Sequence, residues 1–471
     1  MKQLVHAVYQ KIVGVALVGA GLLASLPLLA QPSVVSLAPA RNATIARDGT
    51  VSIGFSTALQ ASAATALRLF GTQRGGSKAG VATVSGNQLT FKPTTEFVAG
   101  EKLWLTLDRH LVYSTNQVEL NRSQVWQLTA AATGGTGQLT PSGLLDWAYE
   151  PSLLTTGDVN GDGYPDVLAI YTTNGDYSST LSIRLNDGTG TYAAIADQKL
   201  PYYVSALALG DLDADGDLDL VAAGARPQES GYYSVLLNQA GVFTTSTQVS
   251  LPVYVPQNSL ELADMDADGR LDIIMPMKYG GTNVLAVRLN NNGSFTNNAT
   301  ALLAGTFGSE VAVGDLDGDG DLDILTADAG GKLVVSLNSG YGTFTSNGPT
   351  ISTIAGYSQK PYLADLDGDG DLDVLLASTL PQVTTVLVRL NNGSAGFTAG
   401  TTLTLPNAAP DLTLADLDGD GDQDLLYCYG QHVASQLNTG RATFGPGTDV
   451  VLTPTPRRLA ISDIDGDGAW G

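Results

Sequence analysis

One cysteine, Cys428, and three histidines are all that 471 residues contain. A lone cysteine cannot close an internal disulfide. So few soft donors exclude a structural zinc or haem centre. Basic residues are scarce too: Lys plus Arg number 23 against 46 Asp plus Glu, a formal charge of −23. Nucleic acid, whose phosphates need a basic footprint, is therefore excluded as a partner. Glutamate is rare within the acidic set, at 7 of the 46, and 30 of the 39 Asp fall inside seven windows of nine residues. No nucleophile elbow, metalloprotease helix or phosphate loop is present. What is abundant is glycine, 55 residues, which implies many tight turns. A hydrophobic fraction of 43% is enough for packed cores.

Residues 1–30 read as a secretory signal: Lys2 and Lys11 precede an apolar run from Ile12 to Ala30, with cleavage expected after Ala30. The alternative is an uncleaved anchor, since the run is nearly long enough to span a bilayer. After cleavage no membrane span is expected, and the protein would be secreted or held at the cell surface. Residues 32–130 lack Asp windows and carry short alternating stretches, Thr50–Phe55 and Lys102–Leu107, which predict a small β-sandwich. A Thr/Gly-rich linker, 131–136, follows.

From 137 to 471 the chain repeats. The windows begin at Asp158, Asp211, Asp264, Asp315, Asp365, Asp416 and Asp463, spaced by 53, 53, 51, 50, 51 and 47 residues. Between them recurs a Leu-Asn pair, at Asn186, Asn238, Asn290, Asn338, Asn391 and Asn438, followed by a Gly-containing turn and an aromatic. Each repeat predicts four strands: one entering the window, one leaving it, one ending at Leu-Asn and one starting at the aromatic. The first two are nearly all apolar, as strands buried on both faces should be. Four strands in about 50 residues is the arithmetic of a propeller blade. The predicted fold is thus all-β: a seven-bladed propeller, its last blade truncated, after an Ig-like sandwich.

The windows follow Asp-x-Asp-x-Asp-Gly-x-x-Asp. They comprise Asp211, Asp213, Asp215 and Asp219; Asp264, Asp266, Asp268 and Asp272; Asp315, Asp317, Asp319 and Asp323; Asp365, Asp367, Asp369 and Asp373; and Asp416, Asp418, Asp420 and Asp424. The first has Asp158, Asn160, Asp162 and Asp166; the seventh has Asp463, Asp465 and Asp467, with Gly471 at the ninth position. Positions one, three and five can turn their oxygens toward one point, and the ninth Asp closes the shell. An all-oxygen, negative, flexible set suits Ca²⁺, about six to seven ions in all. Position twelve never carries the Glu of an EF-hand, and the ninth Asp runs into an apolar, β-rich stretch.

On these windows, with their Leu-Asn pairs and Gly-x-Phe turns, the region 137–471 resembles the FG-GAP or VCBS repeats of integrin α-type propellers. On Pro32–Phe55, Phe91-Lys92-Pro93, Gly100-Glu101 and Trp126, the first domain resembles the bacterial Ig-like domain of surface-layer proteins. The repeat resemblance implies a seven-bladed ring, Ca²⁺ in several first loops, and adhesion or binding at the cell surface. The segment near Leu139 is expected to supply the outermost strand of the last blade, and the natural chain is expected to continue past 471. A glycan or protein ligand is expected on the rim opposite the calcium loops, near Tyr149, Tyr203, Tyr254, Phe307 and Tyr357, although packing between blades is the plainer role for these aromatics. The alternative function is a carbohydrate-active enzyme of lyase type, or its accessory module.

Overall fold

The computed structural model describes residues 30–470 apart from 133–134, 141–144, 146, 148, 173–176, 227–230, 252–253, 257–258, 280–281, 296–298, 305–309, 328–331, 346–349, 353–358 and 381. Residues 1–29 of the expected signal lie outside the described residues.

Period-two patterning builds the first domain. In Val51–Phe55 the side chains of Val51, Ile53 and Phe55 are buried while Ser52 and Gly54 are not. That strand sits in a four-stranded sheet with Val34–Ala38, Gln88–Pro93 and Gly80–Ser85. A second sheet joins Thr44–Ile45, Gln124–Ala130, Lys102–Leu107 and Leu67–Gly71. Ile53, Phe55, Leu89, Leu105 and Trp126 from the two sheets share one core. Each such side chain contributes about 1.5–3 kcal/mol on burial.

Beyond residue 150, among the described residues, six further sheets follow one another along the chain, each made of consecutive antiparallel strands. In the second repeat the order is Tyr203–Gly210, Asp219–Ala225, Gly231–Gln239 and Val242–Leu251. The second strand is buried along nearly its whole length and the outermost alternates, as the sequence pattern predicts. The innermost strand differs. Tyr203–Gly210 and Leu153–Gly157 are only half-buried, because these strands border a central cavity of about 800 Å³. The hydrophobic clusters straddle neighbouring sheets. One joins Val221 and Val235 of the second repeat to Leu271 and Ile273 of the third; another joins Leu325 and Val335 to Val374 and Leu376. Among the described residues these clusters draw on more than one repeat, as in a propeller-like array.

A recurring side-chain strap ties repeat to repeat. The amide nitrogen of each Leu-Asn asparagine donates to the carbonyl of the second window residue one repeat back: Asn238 to Val159 at 2.7 Å, Asn290 to Leu212 at 2.8 Å, Asn338 to Met265 at 2.8 Å, Asn391 to Leu316 at 2.9 Å and Asn438 to Leu366 at 2.9 Å. Asn186 donates to Ile464 of the seventh window at 2.6 Å, joining the last window to the first repeat. A second strap comes from the turn before the aromatic. Ala395 N–H donates to Leu316 O and Ala442 N–H to Leu366 O; Gly137 N–H donates in the same way to Leu417 O at 3.0 Å. Leu139 packs near Leu437, Ile461 and Trp470. The segment before the first window thus stands beside the last repeat.

Gln31–Gly471 is one compact unit, and the first domain shares in the repeat core. Phe70, Trp104 and Val125 are buried with Met265, Ile274 and Val311. The linker composition at 131–136 gave no sign of this junction.

Candidate metal centre

Each of the first six windows is a tight loop between an innermost strand and the next; among the described residues no strand flanks the Asp463 window. Gly216, at position six, has φ near 107°, a backbone state open to glycine and strained for other residues. The turn lets the sixth N–H reach back to the first carboxylate. Gly269 N–H donates to Asp264 Oδ2 at 2.8 Å and Gly370 N–H to Asp365 Oδ2 at 2.9 Å. The fifth Asp holds the turn itself: Asp215 Oδ1 accepts the Asp217 N–H at 3.0 Å, and Asp420 Oδ1 the Asp422 N–H at 2.9 Å. In the first window Asn160 donates to Asp162 at 2.8 Å.

The ninth Asp opens the outgoing strand and is fully buried. Asp219 Oδ2 accepts the Leu212 N–H at 2.9 Å and Oδ1 the Asn238 N–H at 2.8 Å. The same pair of bonds recurs at Asp166, Asp272, Asp323, Asp373 and Asp424. One carboxylate therefore fastens the loop's start to the Leu-Asn strand. The asparagine was missed as a site residue; its near-constant spacing of 25 to 27 residues to the next window was the available signal.

Positions one, three and nine come together. The triads Asp211–Asp213–Asp219, Asp264–Asp266–Asp272, Asp315–Asp317–Asp323, Asp365–Asp367–Asp373 and Asp416–Asp418–Asp424 each offer ligand oxygens within 4.8 Å of one another. Position five, in Asp162, Asp215, Asp268, Asp319, Asp369, Asp420 and Asp467, serves the turn with one oxygen. Several oxygens in the windows are buried with no hydrogen-bond partner: Oδ2 of Asp211 and Oδ1 of Asp266, Asp315, Asp367 and Asp463. A bare buried carboxylate oxygen is costly. Burial also pushes the carboxyls up, Asp211 and Asp416 to about 6, Asp264 and Asp373 to about 7 and Asp323 to about 8, with neighbouring carboxylates adding to the rise. An all-oxygen donor set with unpartnered, desolvated carboxylates fits a hard divalent cation, and these groups can hold one.

Among the described residues, Tyr149 and Tyr203 lie toward the other end of the innermost strands. Tyr203 begins the strand that ends at Gly210, next to the Asp211 window, and meets Tyr177 edge to face at 5.8 Å. Tyr149 lies 5.3 Å from Tyr171. Tyr149 and Tyr177 are more than half exposed. Neighbouring Tyr202, by contrast, is fully buried, its hydroxyl donating to Ala222 O at 2.9 Å. Tyr254 belongs to the strand Tyr254–Pro256. Phe307 and Tyr357 lie outside the described residues.

Strands, windows and straps together define an all-β repeat protein of propeller-like form. A family model for FG-GAP-like repeats matches residues 158–222, 211–275, 279–326 and 315–376, and a bacterial Ig-like domain model matches residues 30–130. The chain carries FG-GAP-like repeats behind a bacterial Ig-like domain. No curated protein matches the sequence. Similar solved structures include an Agrocybe aegerita lectin recognising non-reducing terminal N-acetylglucosamine, at 22% identity and a TM-score of 0.42, covering 64% of this chain and 80% of that one. Another is the periplasmic gluconolactonase of Pseudomonas aeruginosa, at 14% identity and a TM-score of 0.49, covering 84% of this chain and 99% of that one. Among the described residues no helix is long and apolar enough to cross a membrane.

Proposed function

We propose that the protein is a calcium-stabilised, seven-bladed binding scaffold acting outside the cell. It recognises a glycan or protein ligand through the tyrosine-bearing loops opposite the Asp windows. Calcium would be held by positions one, three and nine of each complete window, with the seventh carbonyl joining and position five adding its second oxygen where no side chain holds it, unlike Asp162, Asp268 and Asp319, which take Asn160, Arg270 and Arg122. Bound there, the cation neutralises carboxylates that otherwise repel one another by about 4 kcal/mol per close pair at an effective dielectric near 20. The chain's own residues supply the rest: the sixth glycine sets the turn and the Leu-Asn asparagine holds the ninth carboxylate in place.

The observation that carries the ligand reading is the exposure of Tyr149 and Tyr177 beside their aromatic partners, at the strand ends remote from the metal loops. An exposed aromatic pair offers a flat apolar face for a sugar ring or a protein anchor. Calorimetry of metal-stripped protein should show heat on adding Ca²⁺, together with a higher thermal midpoint. A glycan array read with and without chelator tests the ligand class. Tyr149→Ala and Tyr203→Ala should lose ligand at an unchanged midpoint; a parallel fall in midpoint would assign these residues to packing instead.

A further inference from the structure

The face bearing the Asp windows is covered by the first domain, which reaches several windows with specific side chains. Arg41 pairs with Asp315 and donates to the Gly318 carbonyl at 2.8 Å. Arg47 Nη1 lies 3.8 Å from Asp463 Oδ2, and Arg74 Nε lies 3.7 Å from Asp158 Oδ2. Thr106 donates to Asp264 Oδ2 at 2.6 Å, and Asn42 to the Gly370 carbonyl at 2.9 Å. The Val125 N–H donates to the Gly320 carbonyl at 2.7 Å, beside the apolar contact of Phe70 and Trp104 with the repeat core.

Two carboxylates divide their oxygens between the domains. Asp315 is 7% exposed and Asp463 1%. In each, Oδ2 takes both the first domain's arginine and the sixth glycine N–H, from Gly320 at 2.9 Å and Gly468 at 3.1 Å. In each, Oδ1 is buried without a partner. For Asp315, Asp317 and Asp323 bring their own oxygens to the same group. The arginine and a cation would thus use opposite oxygens of one carboxylate, so they do not compete for the same atom.

We propose that calcium in these windows latches the Ig-like domain onto the repeat face, through carboxylates shared between the metal and the domain's arginines. The proposal rests on the calcium reading above. Stripped of its cation, a loop of repelling carboxylates opens, and the Asp oxygens and glycine carbonyls that Arg41, Asn42 and Val125 read move off their donors. A cation closes the loop and restores them. Linkage makes the effect mutual: docking must then tighten calcium as much as calcium tightens docking. If guanidinium groups instead took the cation's place, the sign would be opposite and chelation would strengthen docking.

The test is hydrogen exchange of the full-length protein over residues 124–126, in Ca²⁺ and in chelator, with calorimetry of Ca²⁺ binding in parallel. Protection at Val125 should fall by about tenfold or more on chelation and return with calcium. Arg41→Ala/Arg47→Ala should lose that protection even in calcium. It should keep the heat of binding at windows whose first carboxylates, Asp211, Asp365 and Asp416, take no such arginine among the described residues. Unchanged or stronger protection in chelator, while calorimetry shows that the metal has left, overturns the latch and leaves the calcium reading standing. No heat with Ca²⁺ at all overturns both.

Discussion

Asn391→Ala isolates the strap between repeats from the proposed cation site beside it. Asn391 is 6% exposed. Its amide nitrogen donates to Leu316 O at 2.9 Å and to Leu372 O at 3.1 Å, and its oxygen accepts the Asn392 N–H at 2.8 Å. Alanine removes all three bonds and leaves the backbone N–H of residue 391 on Asp373. Leu316 O retains the Ala395 N–H, so it stays satisfied. Leu372 O loses its side-chain donor in a buried setting. A net hydrogen bond contributes about 0.5–1.5 kcal/mol and a bare buried acceptor costs about 1–3 kcal/mol, so the substitution should cost roughly 2–4 kcal/mol. Urea unfolding at constant m measures it. Because no carboxylate oxygen is lost, the cost should be equal in calcium and in chelator. Under the calcium proposal, Asp373→Ala removes a staple in both conditions and a cation's ligand in one, so its cost should be larger in calcium. A loss below about 1 kcal/mol for Asn391→Ala, or one seen only in calcium, would refute the strap as a metal-independent tie.

The pH dependence of the metal-free protein has a definite sign. The ninth-position carboxyls of Asp219 and Asp424 are pushed up to about 7 by burial, and that of Asp323 to about 8. Unfolded Asp titrates near ~4, so between about pH 4 and 8 the native state holds protons the unfolded state has released. Stability in chelator should therefore fall as pH rises through that window, and calcium should offset the fall; a higher urea midpoint at pH 8 than at pH 5 in chelator would contradict it. In the first domain Glu101 is fully buried and accepts from Lys78 at 2.7 Å and from the N–H groups of Gln73 and Arg74 at 3.1 and 3.0 Å. Glu101→Ala strands the mostly buried Lys78 ammonium and should cost about 3–5 kcal/mol by thermal or urea unfolding, whereas under ~1 kcal/mol would show the pair to be screened.

The strand order and the loops were legible because both are written in short-range pattern. Asp219–Ala225 is a continuous apolar run and Val242–Leu251 alternates, and each occupies the layer its pattern predicts. Tyr203–Gly210 is nearly as apolar as its neighbour, yet it is half-buried. Whether an inner strand meets another sheet or a cavity depends on how the whole array packs, which no local pattern encodes. The windows were legible for a similar reason, since alternating carboxylates around a glycine have few other uses. The arginines on the Asp face were not. Arg41, Arg47, Arg74 and Arg122 are scattered single charges in the first domain, and only the tertiary arrangement brings Arg122 within 3.5 Å of Asp319. Tyr202 and Tyr203 are adjacent in sequence and opposite in fate, one fully buried and one partly open, because successive residues near a strand's start point to opposite faces.

Two kinds of order therefore meet in each window that carries a ninth Asp. The ninth Asp is bound by backbone N–H groups from the loop's start and from the Leu-Asn strand, contacts that need no metal. Its neighbours at positions one and three carry the unpartnered oxygens, as in Asp211, Asp367 and Asp463. The frame of the repeat array is thus held by hydrogen bonds, and a bound cation would act on the outer part of each loop. That outer part includes the sixth glycine, whose carbonyl meets Val125 from Gly320 and Asn42 from Gly370. It follows that losing calcium should leave the repeat sheets largely in place and act first on the junction with the Ig-like domain. Cooperative loss of the whole array would require the straps, not the loops, to fail.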